Sequence, residues 1–248
     1  QGGVEIVVTE LAVRMAKRGQ QVTVYNRSGH HVSGREFDSK KIGKYQDVHL
    51  KYVPTIDVRG LAAMSSSFFA AVRAALGKYD VVHFHAEGPC AMLWIPKLTG
   101  KRCIATIHGL DHKRVKWGKF ARAYIMFGEK CAVRFADEII VLSEGMQQYF
   151  MDTYGRKTVW IPNGVNRPNV REAKMIKDEF GLEKDSYILF LGRLVPEKGL
   201  RYLIEAFKQT ETEKKLVIAG GSSDTDAFVA ELRKMAGGDE RIIFTGFV

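Results

Sequence analysis

The amino-acid sequence predicts an α/β protein whose parallel sheets are doubly wound, with helices on both faces. Short apolar runs alternate with longer stretches of helical periodicity along almost the whole chain of 248 residues. Several of these runs end in a glycine or histidine turn, as at residues 192 and 108–109. Such alternation is typical of βαβ units, in which each strand delivers the chain to a loop at the carboxyl edge of the sheet. An apolar content of 46% is sufficient for a packed core.

The first part of the chain, residues 1–165, is predicted to form one such domain. It opens on Gln1-Gly2-Gly3 and runs directly into a helical pattern that ends at Gly19. Since a glycine loop that opens a helix normally follows a strand, the first strand of this sheet is expected to be missing. Further strands are predicted at 21–25, 48–53, 79–85, 102–107, 138–142 and 158–161. Helices are predicted at 61–76, 89–98 and 116–135 and after Ser143, and a loop at 26–47.

The turn Pro162-Asn163-Gly164 predicts a crossover to a second domain, residues 166–248. There the pattern restarts, with helices at 171–180, 200–207 and 224–235 and strands at 188–191, 215–219 and 241–245. Three parallel strands make a poor sheet on their own, so the end of this domain is also expected to be missing.

The charge balance suggests an anionic partner. The formal charge is +10 at pH 7 and the pI is near 9.5. This charge is compatible with nucleic acid, an anionic membrane surface or phosphorylated substrates as the partner. It is also compatible with a basic protein that has no such partner. No apolar stretch has the length of a membrane-spanning helix, and no secretory leader is visible. Cys90, Cys103 and Cys131 lack CxxC spacing, which predicts reduced, mostly buried thiols in a cytoplasmic protein.

The most informative stretch is residues 188–207, ILFLGRLVPEKGLRYLIEAF. An apolar strand ends at Gly192, a short loop carries Arg193 and Lys198, and Gly199 opens an amphipathic helix. Two cations at the N-terminus of a helix form a site for a doubly charged anion, because free N–H groups and the helix dipole add to the side-chain charges. Solvated loop charges are the alternative, but the carboxyl end of a strand is where open α/β sheets bind ligands.

The pattern Gly-Arg-Leu-x-x-x-Lys-Gly before an amphipathic helix resembles the donor-phosphate motif of retaining nucleotide-sugar glycosyltransferases, and more narrowly of glycosyltransferase family four. The resemblance extends over nearly the whole chain and implies the GT-B architecture of two facing Rossmann-like domains. It implies that Arg193 and Lys198 hold the donor diphosphate and stabilise it as the sugar bond breaks. Two cations and a helix N-terminus can replace a metal, so neither a metal ion nor a cofactor is expected.

The resemblance also implies donor contacts at three turns. The residues are Gly2 and Gly3 of the first glycine loop, Gly220 and Gly221 after a strand, and Phe247 and Val248 beside the base. Taken alone, each remains compatible with an ordinary tight turn or a flexible terminus. The family's paired-glutamate motif, Glu-x7-Glu, should lie beyond residue 248, which leaves the activity of this chain by itself open.

Histidines end two predicted strands of the first domain. His83 and His85 share one face of a strand, and His108 follows a later strand. A metal site, structural histidines and substrate contacts are the three interpretations. A metal is disfavoured because no Asp or Glu is expected at matching strand ends, and the chain is too short for an eight-stranded barrel. The resemblance places His108 near the transferred sugar, in a catalytic role, with His85, Asp111 and His112 on the acceptor side.

Basic and aromatic residues interleave along residues 112–122. Such a segment is compatible with a helix at an anionic membrane surface, with RNA binding, or with a solvated face over a buried one.

These observations together predict a retaining, metal-independent glycosyltransferase that moves a sugar from a nucleotide-diphosphate sugar to a glycan or polyprenyl-linked acceptor. The expected setting is surface polysaccharide biosynthesis, in the cytoplasm or at the inner face of the cell membrane, without a nucleic-acid partner. One alternative is a nucleotide-sugar epimerase or glycan phosphorylase on the same fold, and another is a non-catalytic nucleotide- or anion-binding Rossmann protein. The absence of GxGxxG and GxxxxGK[ST] motifs argues against nicotinamide oxidoreductases and P-loop hydrolases. No GxSxG motif is present either.

Overall fold

The computed structural model describes residues 3–28, 41–58, 60–113, 117–170, 172–221 and 226–247. The chain forms two compact units, Gln1–Val165 and Asn166–Val248. In both units strands alternate with helices and pair mainly in parallel. The α/β class with parallel sheets, predicted from the sequence, is therefore confirmed.

The first unit contains two sheets in its described ranges. Its strands are β1 (Thr23–Arg27), β2 (Lys44–Tyr45), β3 (Val48–Val53), β4 (Val81–His85), β5 (Arg102–Ile107), β6 (Glu138–Val141) and β7 (Val159–Trp160). Its helices are α1 (Gly3–Lys17), α2 (Leu61–Leu76), α3 (Glu87–Cys90), α4 (Trp94–Leu98), α5 (Lys119–Phe135) and α6 (Glu144–Tyr154). One sheet has the order β1-β3-β2 and the other the order β4-β5-β6-β7.

The second of these sheets positions the histidines. β4, β5, β6 and β7 are all parallel, and His85 lies opposite Thr106 in the register of β4 and β5. The carboxyl ends of parallel neighbours meet at one edge of a sheet. This edge therefore holds His85 at the end of β4 and His108 just after β5.

A short strand lies within the segment predicted as a loop. β2 pairs antiparallel with β3, with Tyr45 opposite Val48. The two intervening residues, Gln46 and Asp47, have φ values of 42° and 68°. Two successive positive φ values are the signature of a type I′ turn, which joins twisted antiparallel strands. The turn carries neither the Asn nor the Gly that usually marks it, so the sequence pattern does not reveal the hairpin.

The helix predicted at 89–98 is two short helices, α3 and α4. Where they join, the backbone N–H groups of Leu93 and of Ile95, at the start of α4, donate to carbonyls three residues back, as in a 3₁₀ helix. Pro96 has no N–H group and its ring crowds the preceding turn, which disfavours a continuous α-helix there.

The core of the first unit lies around the four-stranded sheet. Leu93, Ile107, Ile139 and Phe150 are its largest fully buried apolar side chains. The three cysteines of the chain are free and buried, as predicted. Burial raises the pKa of the Cys103 thiol to about 11, so this thiol remains protonated at neutral pH.

The second unit is a parallel sheet with helices. Its elements are α7 (Lys174–Phe180), β8 (Tyr187–Leu191), α8 (Leu200–Lys208), β9 (Lys215–Ala219), α9 (Asp226–Ala236) and β10 (Ile242–Gly246). The sheet has the order β10-β9-β8, with all strands parallel. Leu200 and Ile204 of α8 pack with Leu232 of α9 against Leu216 and Ile218 of β9. The apolar stripe predicted for α8 is thus the buried face of that helix.

Among the helices of the described ranges, none combines the length and apolar character needed to cross a bilayer.

Candidate functional site

The turn between β8 and α8 carries the two predicted phosphate-binding cations. We call residues 192–199 the cationic turn. Arg193 follows β8 after Gly192, and Lys198 ends the short 3₁₀ helix Pro196–Lys198. Both side chains are exposed, and neither has an ion pair or side-chain hydrogen bond with another described residue. Glu197, also in the turn, is exposed as well. Both cations are therefore available to a ligand.

Local sequence explains the shape of the cationic turn. Gly199 has φ +71°, in the left-handed region that favours glycine, and it is the N-cap of α8. A glycine cap provides no side-chain acceptor, and the first turn of α8 contains no acidic residue. Leu194 is 3% exposed and anchors the turn in the core of the second unit. The N–H groups at the start of α8 are therefore not occupied by a side chain of the helix and are suited to bind an anion, although Glu197 is an acidic residue of the cationic turn.

Glycines at the ends of the three strands of this sheet allow the strand ends to approach closely and to hydrogen-bond through their backbones. The backbone N–H of Gly192 donates to the carbonyl of Ala219 at 3.0 Å, and that of Gly220 donates to the carbonyl of Gly246 at 2.8 Å. Gly220 has φ +145°, and a Cβ atom there would lie 1.8 Å from the carbonyl oxygen of Gly192. No side chain fits in that space, so glycine is required at this position.

The predicted donor residues of the second unit meet at this edge. The N–H of Leu194 donates to the carbonyl of Gly221 at 3.1 Å. A Cβ on Gly221 would lie 3.5 Å from the ring of Phe247, which is itself 84% exposed. Arg193, Gly220, Gly221 and Phe247 thus cluster at the carboxyl edge of the sheet. Val248, predicted beside them, lies outside the described residues.

The remaining predicted donor residues belong to the other end of the chain. Gly3 is the exposed first residue of α1. Gly2 lies outside the described residues.

The histidines of the first unit form a row. The rings of His83 and His85 stack with centroids 4.2 Å apart, and those of His85 and His108 stack at 5.4 Å. The Nδ1 atom of His85 lies 3.1 Å from Nε2 of His108, and Nε2 of His83 lies 2.8 Å from the Thr106 hydroxyl. Each of these nitrogens already has a hydrogen-bond partner, which favours hydrogen bonding over metal binding for the row.

The histidine row is uncharged at neutral pH. Burial, with repulsion from His108, lowers the pKa of His83 to about 4. Burial also lowers the pKa of His85 to about 3, with repulsion from His83 and His108. The pKa of His108 is lowered by burial, opposed by the nearby Asp111 carboxylate. A neutral imidazole offers one donor and one acceptor, so His108 can contact a hydroxyl group without bringing a charge.

A group of buried and half-buried ionisable residues lies next to this row, and most of it was not predicted from the sequence. We call Glu87, His112, Glu129, Tyr149 and Tyr154 the acid cluster. Glu87 and Glu129 are 0% exposed and His112 is 8% exposed. His112 was expected on the acceptor side and at the start of a membrane-facing segment, but the structure turns its ring into the interior.

The atoms of the acid cluster are closely arranged. Nδ1 of His112 lies 3.5 Å from Oε1 of Glu87 and 3.4 Å from Oε2 of Glu129. The hydroxyl groups of Tyr149 and Tyr154 donate to Oε1 of Glu129 at 2.9 and 2.5 Å. Burial and the neighbouring Glu129 carboxylate raise the pKa of Glu87 to about 9. In the absence of a compensating cation, Glu87 is therefore protonated at neutral pH.

Two sequence features bear on the acid cluster. Glu87 comes two residues after β4, contrary to the expectation that no acidic residue follows the histidine strands. Glu129 occupies the buried face of α5 together with Ile125 and Ala132, where an apolar side chain would be the rule. A carboxyl group at an apolar helical position is the signal that could have revealed the cluster. Asp111 is linked to it, because its backbone N–H donates to Oε2 of Glu87 at 2.8 Å.

The outer face of α5 combines aromatic and basic side chains. Phe120 and Phe127 are 75% and 52% exposed, and Lys119 and Arg122 are exposed beside them. Part of the predicted basic–aromatic segment, residues 114–116, lies outside the described residues.

Comparisons with known proteins place the chain among sugar transferases. The family model described as Glycosyltransferase Family 4 matches residues 1–167, and the model described as Glycosyl transferases group 1 matches residues 172–248. A phosphatidyl-myo-inositol mannosyltransferase of Mycobacterium leprae is 29% identical over 255 residues, covering 100% of this chain and 63% of that protein. A D-inositol 3-phosphate glycosyltransferase of Xylanimonas cellulosilytica is 26% identical, covering 95% of this chain and 62% of that protein.

Solved structures show the same fold. The crystal structure of Anabaena HepE in complex with UDP-glucose aligns with a TM-score of 0.74 at 17% identity, covering 100% of this chain and 66% of that one. The chain thus spans less than two thirds of the length of these relatives.

Proposed function

The chain belongs to glycosyltransferase family 4, and from this premise we propose that it transfers a sugar from a nucleotide-diphosphate sugar to a glycan or lipid-linked acceptor with retention of configuration. One observation carries the proposal. Arg193 and Lys198 are exposed cations without a described partner, Arg193 at the carboxyl edge of a parallel sheet and Lys198 just before the N-terminus of α8. This is the arrangement that binds a diphosphate.

The cationic turn would act mainly on the leaving group. As the bond between sugar and diphosphate breaks, negative charge grows on the phosphate oxygens. The Arg193 guanidinium, the Lys198 ammonium and the first N–H groups of α8 would face the diphosphate before the reaction begins. They can therefore stabilise the new negative charge without having to move. The acceptor hydroxyl attacks from the face that the diphosphate leaves, and the departing phosphate takes its proton. With two cations and a helix N-terminus, the transfer requires neither a metal ion at the diphosphate nor an organic cofactor.

The remaining site residues take subsidiary roles in this proposal. The backbone at Gly220 and Gly221 would lie beside the nucleotide, and the main chain at Phe247 would contact its base. Uridine is the first base to test because the HepE structure is a complex with UDP-glucose. His108, neutral at pH 7, would donate or accept one hydrogen bond to a hydroxyl of the transferred sugar. His85 and Asp111 would lie toward the acceptor.

A lipid-linked acceptor is supported by two observations. The name of the mycobacterial relative specifies phosphatidyl-myo-inositol. The outer face of α5 presents Phe120 and Phe127 among basic side chains, a combination that binds anionic membrane surfaces. We therefore propose that the protein works at the inner face of the cell membrane, in surface polysaccharide or glycolipid assembly. Cosedimentation with anionic vesicles tests this: Phe120→Ser with Phe127→Ser should release the protein, whereas Met175→Ser, exposed in the second unit, should not.

The decisive experiment measures nucleotide binding by calorimetry. Arg193→Ala and Lys198→Ala should each weaken UDP binding about tenfold or more, because each removes a charge-assisted hydrogen bond. Binding of uridine, which has no phosphate, should be unchanged. Lys234→Ala removes another exposed lysine of the second unit and is the matched control. If both variants bind UDP as the wild type does, the cationic turn is not the diphosphate site.

Transfer itself is tested in the presence of EDTA, with product configuration determined by NMR. Sugar transfer that continues with retention supports the mechanism. Loss of transfer in EDTA, restored by Mg²⁺ or Mn²⁺, would contradict metal independence at the diphosphate.

A further inference from the structure

The acid cluster contains three polar atoms that are buried and have no hydrogen-bond partner. They are Oε1 of Glu87, Oε2 of Glu129 and Nδ1 of His112. All three point to one place, since they lie within 4.8 Å of one another. Buried polar atoms without a partner destabilise a protein, so three that face one another indicate a ligand or a shared proton.

The distances from His112 to the two carboxylates favour a bound ligand. A charge-assisted hydrogen bond between an imidazole and a carboxylate has a length of about 2.7–2.9 Å. The imidazole nitrogen lies 3.5 and 3.4 Å from the two carboxylate oxygens. Ligand atoms bound at about 2.0–2.1 Å around a tetrahedral ion are separated from one another by about 3.3–3.4 Å. Both imidazole–carboxylate distances therefore fit a tetrahedral ion and are too long for charge-assisted hydrogen bonds from His112.

The other polar atoms of the cluster orient the three inward-facing ones. The Tyr149 and Tyr154 hydroxyl groups both donate to the outer oxygen of Glu129, and the backbone N–H of Asp111 donates to the outer oxygen of Glu87. Each carboxylate is thus held by one oxygen and presents the other. Ligating carboxylates in metalloproteins are held in this way by a second layer of donors.

The scaffold beneath the cluster is tightly packed. A Cβ atom on Gly128 would lie 2.0 Å from the carbonyl oxygen of Glu87, so α5 contacts α3 backbone to backbone. This contact fixes the separation of Glu87 and Glu129, which lie on different helices. A site built on packed helices keeps its geometry better than one built on loops.

We propose that Glu87, Glu129 and His112 bind one divalent transition-metal ion, Zn²⁺ being the best fit, which joins α3, α5 and the short 3₁₀ helix Asp111–Lys113. Imidazole and carboxylate are ligands that Zn²⁺ accepts in tetrahedral sites. Two carboxylates balance the charge of the ion, and the imidazole binds as the neutral base. The ion has a structural role in the first unit, whereas the cationic turn belongs to the second. The proposal is therefore independent of the function proposed above.

Metal analysis of the intact chain, purified through a tag without histidines, tests the site. About one zinc ion per chain is expected, and Co²⁺ added to the chelator-stripped protein should give the visible absorption bands of a tetrahedral complex. Zn²⁺ should raise the melting temperature of the stripped protein, and Mg²⁺ at the same concentration should not. These readouts do not depend on catalytic activity.

Variants locate the ion. Glu87→Gln and Glu129→Gln should lose the cobalt bands and the stabilisation by Zn²⁺. Tyr154→Phe removes only an orienting hydroxyl group and should weaken zinc binding about tenfold. Glu138→Gln, an exposed glutamate of the same unit, should bind like the wild type.

The wild-type measurements remain decisive even if a glutamine variant fails to fold. Wild-type protein that contains no zinc, gives no cobalt bands and melts at the same temperature with Zn²⁺ would overturn the proposal. A site that retains its cobalt bands in both folded glutamine variants would overturn it as well.

Discussion

The cationic turn and the acid cluster differ in how exposed their ionisable side chains are and in whether those side chains have partners within the protein. Arg193 and Lys198 are exposed, have no described partner, and are presented by a backbone that glycines shape. Glu87 and Glu129 are fully buried, and each has one oxygen held by phenol hydroxyl groups or a backbone N–H.

This difference follows from the cost of removing a charge from water. A buried carboxylate must be compensated within the protein, so its contacts contribute to folding. An exposed cation stays hydrated, so its presence costs the folded state little free energy, and it remains available to an anionic ligand. We therefore expect changes in the packed regions to alter stability, and changes in the exposed cations to alter binding alone.

The two units can be followed separately because all three tryptophans, Trp94, Trp117 and Trp160, lie in the first unit. Tryptophan fluorescence reports unfolding of the first unit, and far-UV circular dichroism reports both.

The largest loss of stability is expected for Gly220→Ala, because the added methyl group would clash with the backbone beneath the cationic turn. Its Cβ atom would lie 1.8 Å from the Gly192 carbonyl oxygen, at a φ of +145°. Overpacking and backbone strain together should cost about 3–5 kcal/mol of unfolding free energy in the second unit. In urea, the dichroism transition should shift while the fluorescence transition does not. Gly238→Ala, which also has positive φ but no neighbour within 4 Å, should cost less.

A somewhat smaller loss is expected for Gly128→Ala, which separates α5 from α3 under the acid cluster. The added Cβ atom would lie 2.0 Å from the Glu87 carbonyl oxygen. Overpacking of this kind should cost about 2–3 kcal/mol, seen as an earlier fluorescence transition in urea. Gly145→Ala in α6, with nothing within 4 Å, is the matched control. Equal stability of the two variants would contradict the backbone-to-backbone packing.

A pH effect sharpens the contrast between interior and surface. The pKa of His83 is about 4 in the folded protein, below the value of about 6.5 for an exposed histidine. The unfolded chain therefore binds more protons between these values, and the stability contributed by neutral His83 is lost as the pH falls through this window. From pH 7.5 to pH 5, the wild type should lose about 1–2 kcal/mol more than His83→Gln, measured by urea unfolding followed by fluorescence. Identical losses would show that His83 accepts a proton as readily when folded.

The smallest stability effect is expected for Arg193→Ala. Because the side chain is exposed and has no described partner, the unfolding free energy should change by less than about 0.5 kcal/mol. The dichroism transition in urea is the measurement, and Lys234→Ala is the comparison. A loss of more than about 1 kcal/mol would mean that Arg193 supports the fold, and the contrast between the two regions would fail.

Features specified by neighbouring residues could be predicted from the sequence. The bounds of β3, α2 and β5 agree with those predicted, because alternation and helical periodicity are local properties. The positions of Arg193 and Lys198 between β8 and α8 also follow from one contiguous stretch.

Features that depend on distant partners could not be predicted. Glu87 and Glu129 lie far apart in the chain, and the packing of α5 against α3, closest at Gly128, brings them together. The hairpin of β2 and β3 depends on positive φ values at Gln46 and Asp47, which neither residue type signals strongly.

The burial of all three native thiols makes the folded chain a good starting point for single-site labelling. Maleimide reagents react with accessible thiolates, so Cys90, Cys103 and Cys131 should stay unmodified under native conditions. A dye attached through Glu197→Cys, which leaves Arg193 and Lys198 in place, would then be the only label beside the start of α8, where its emission should report nucleotide binding in real time.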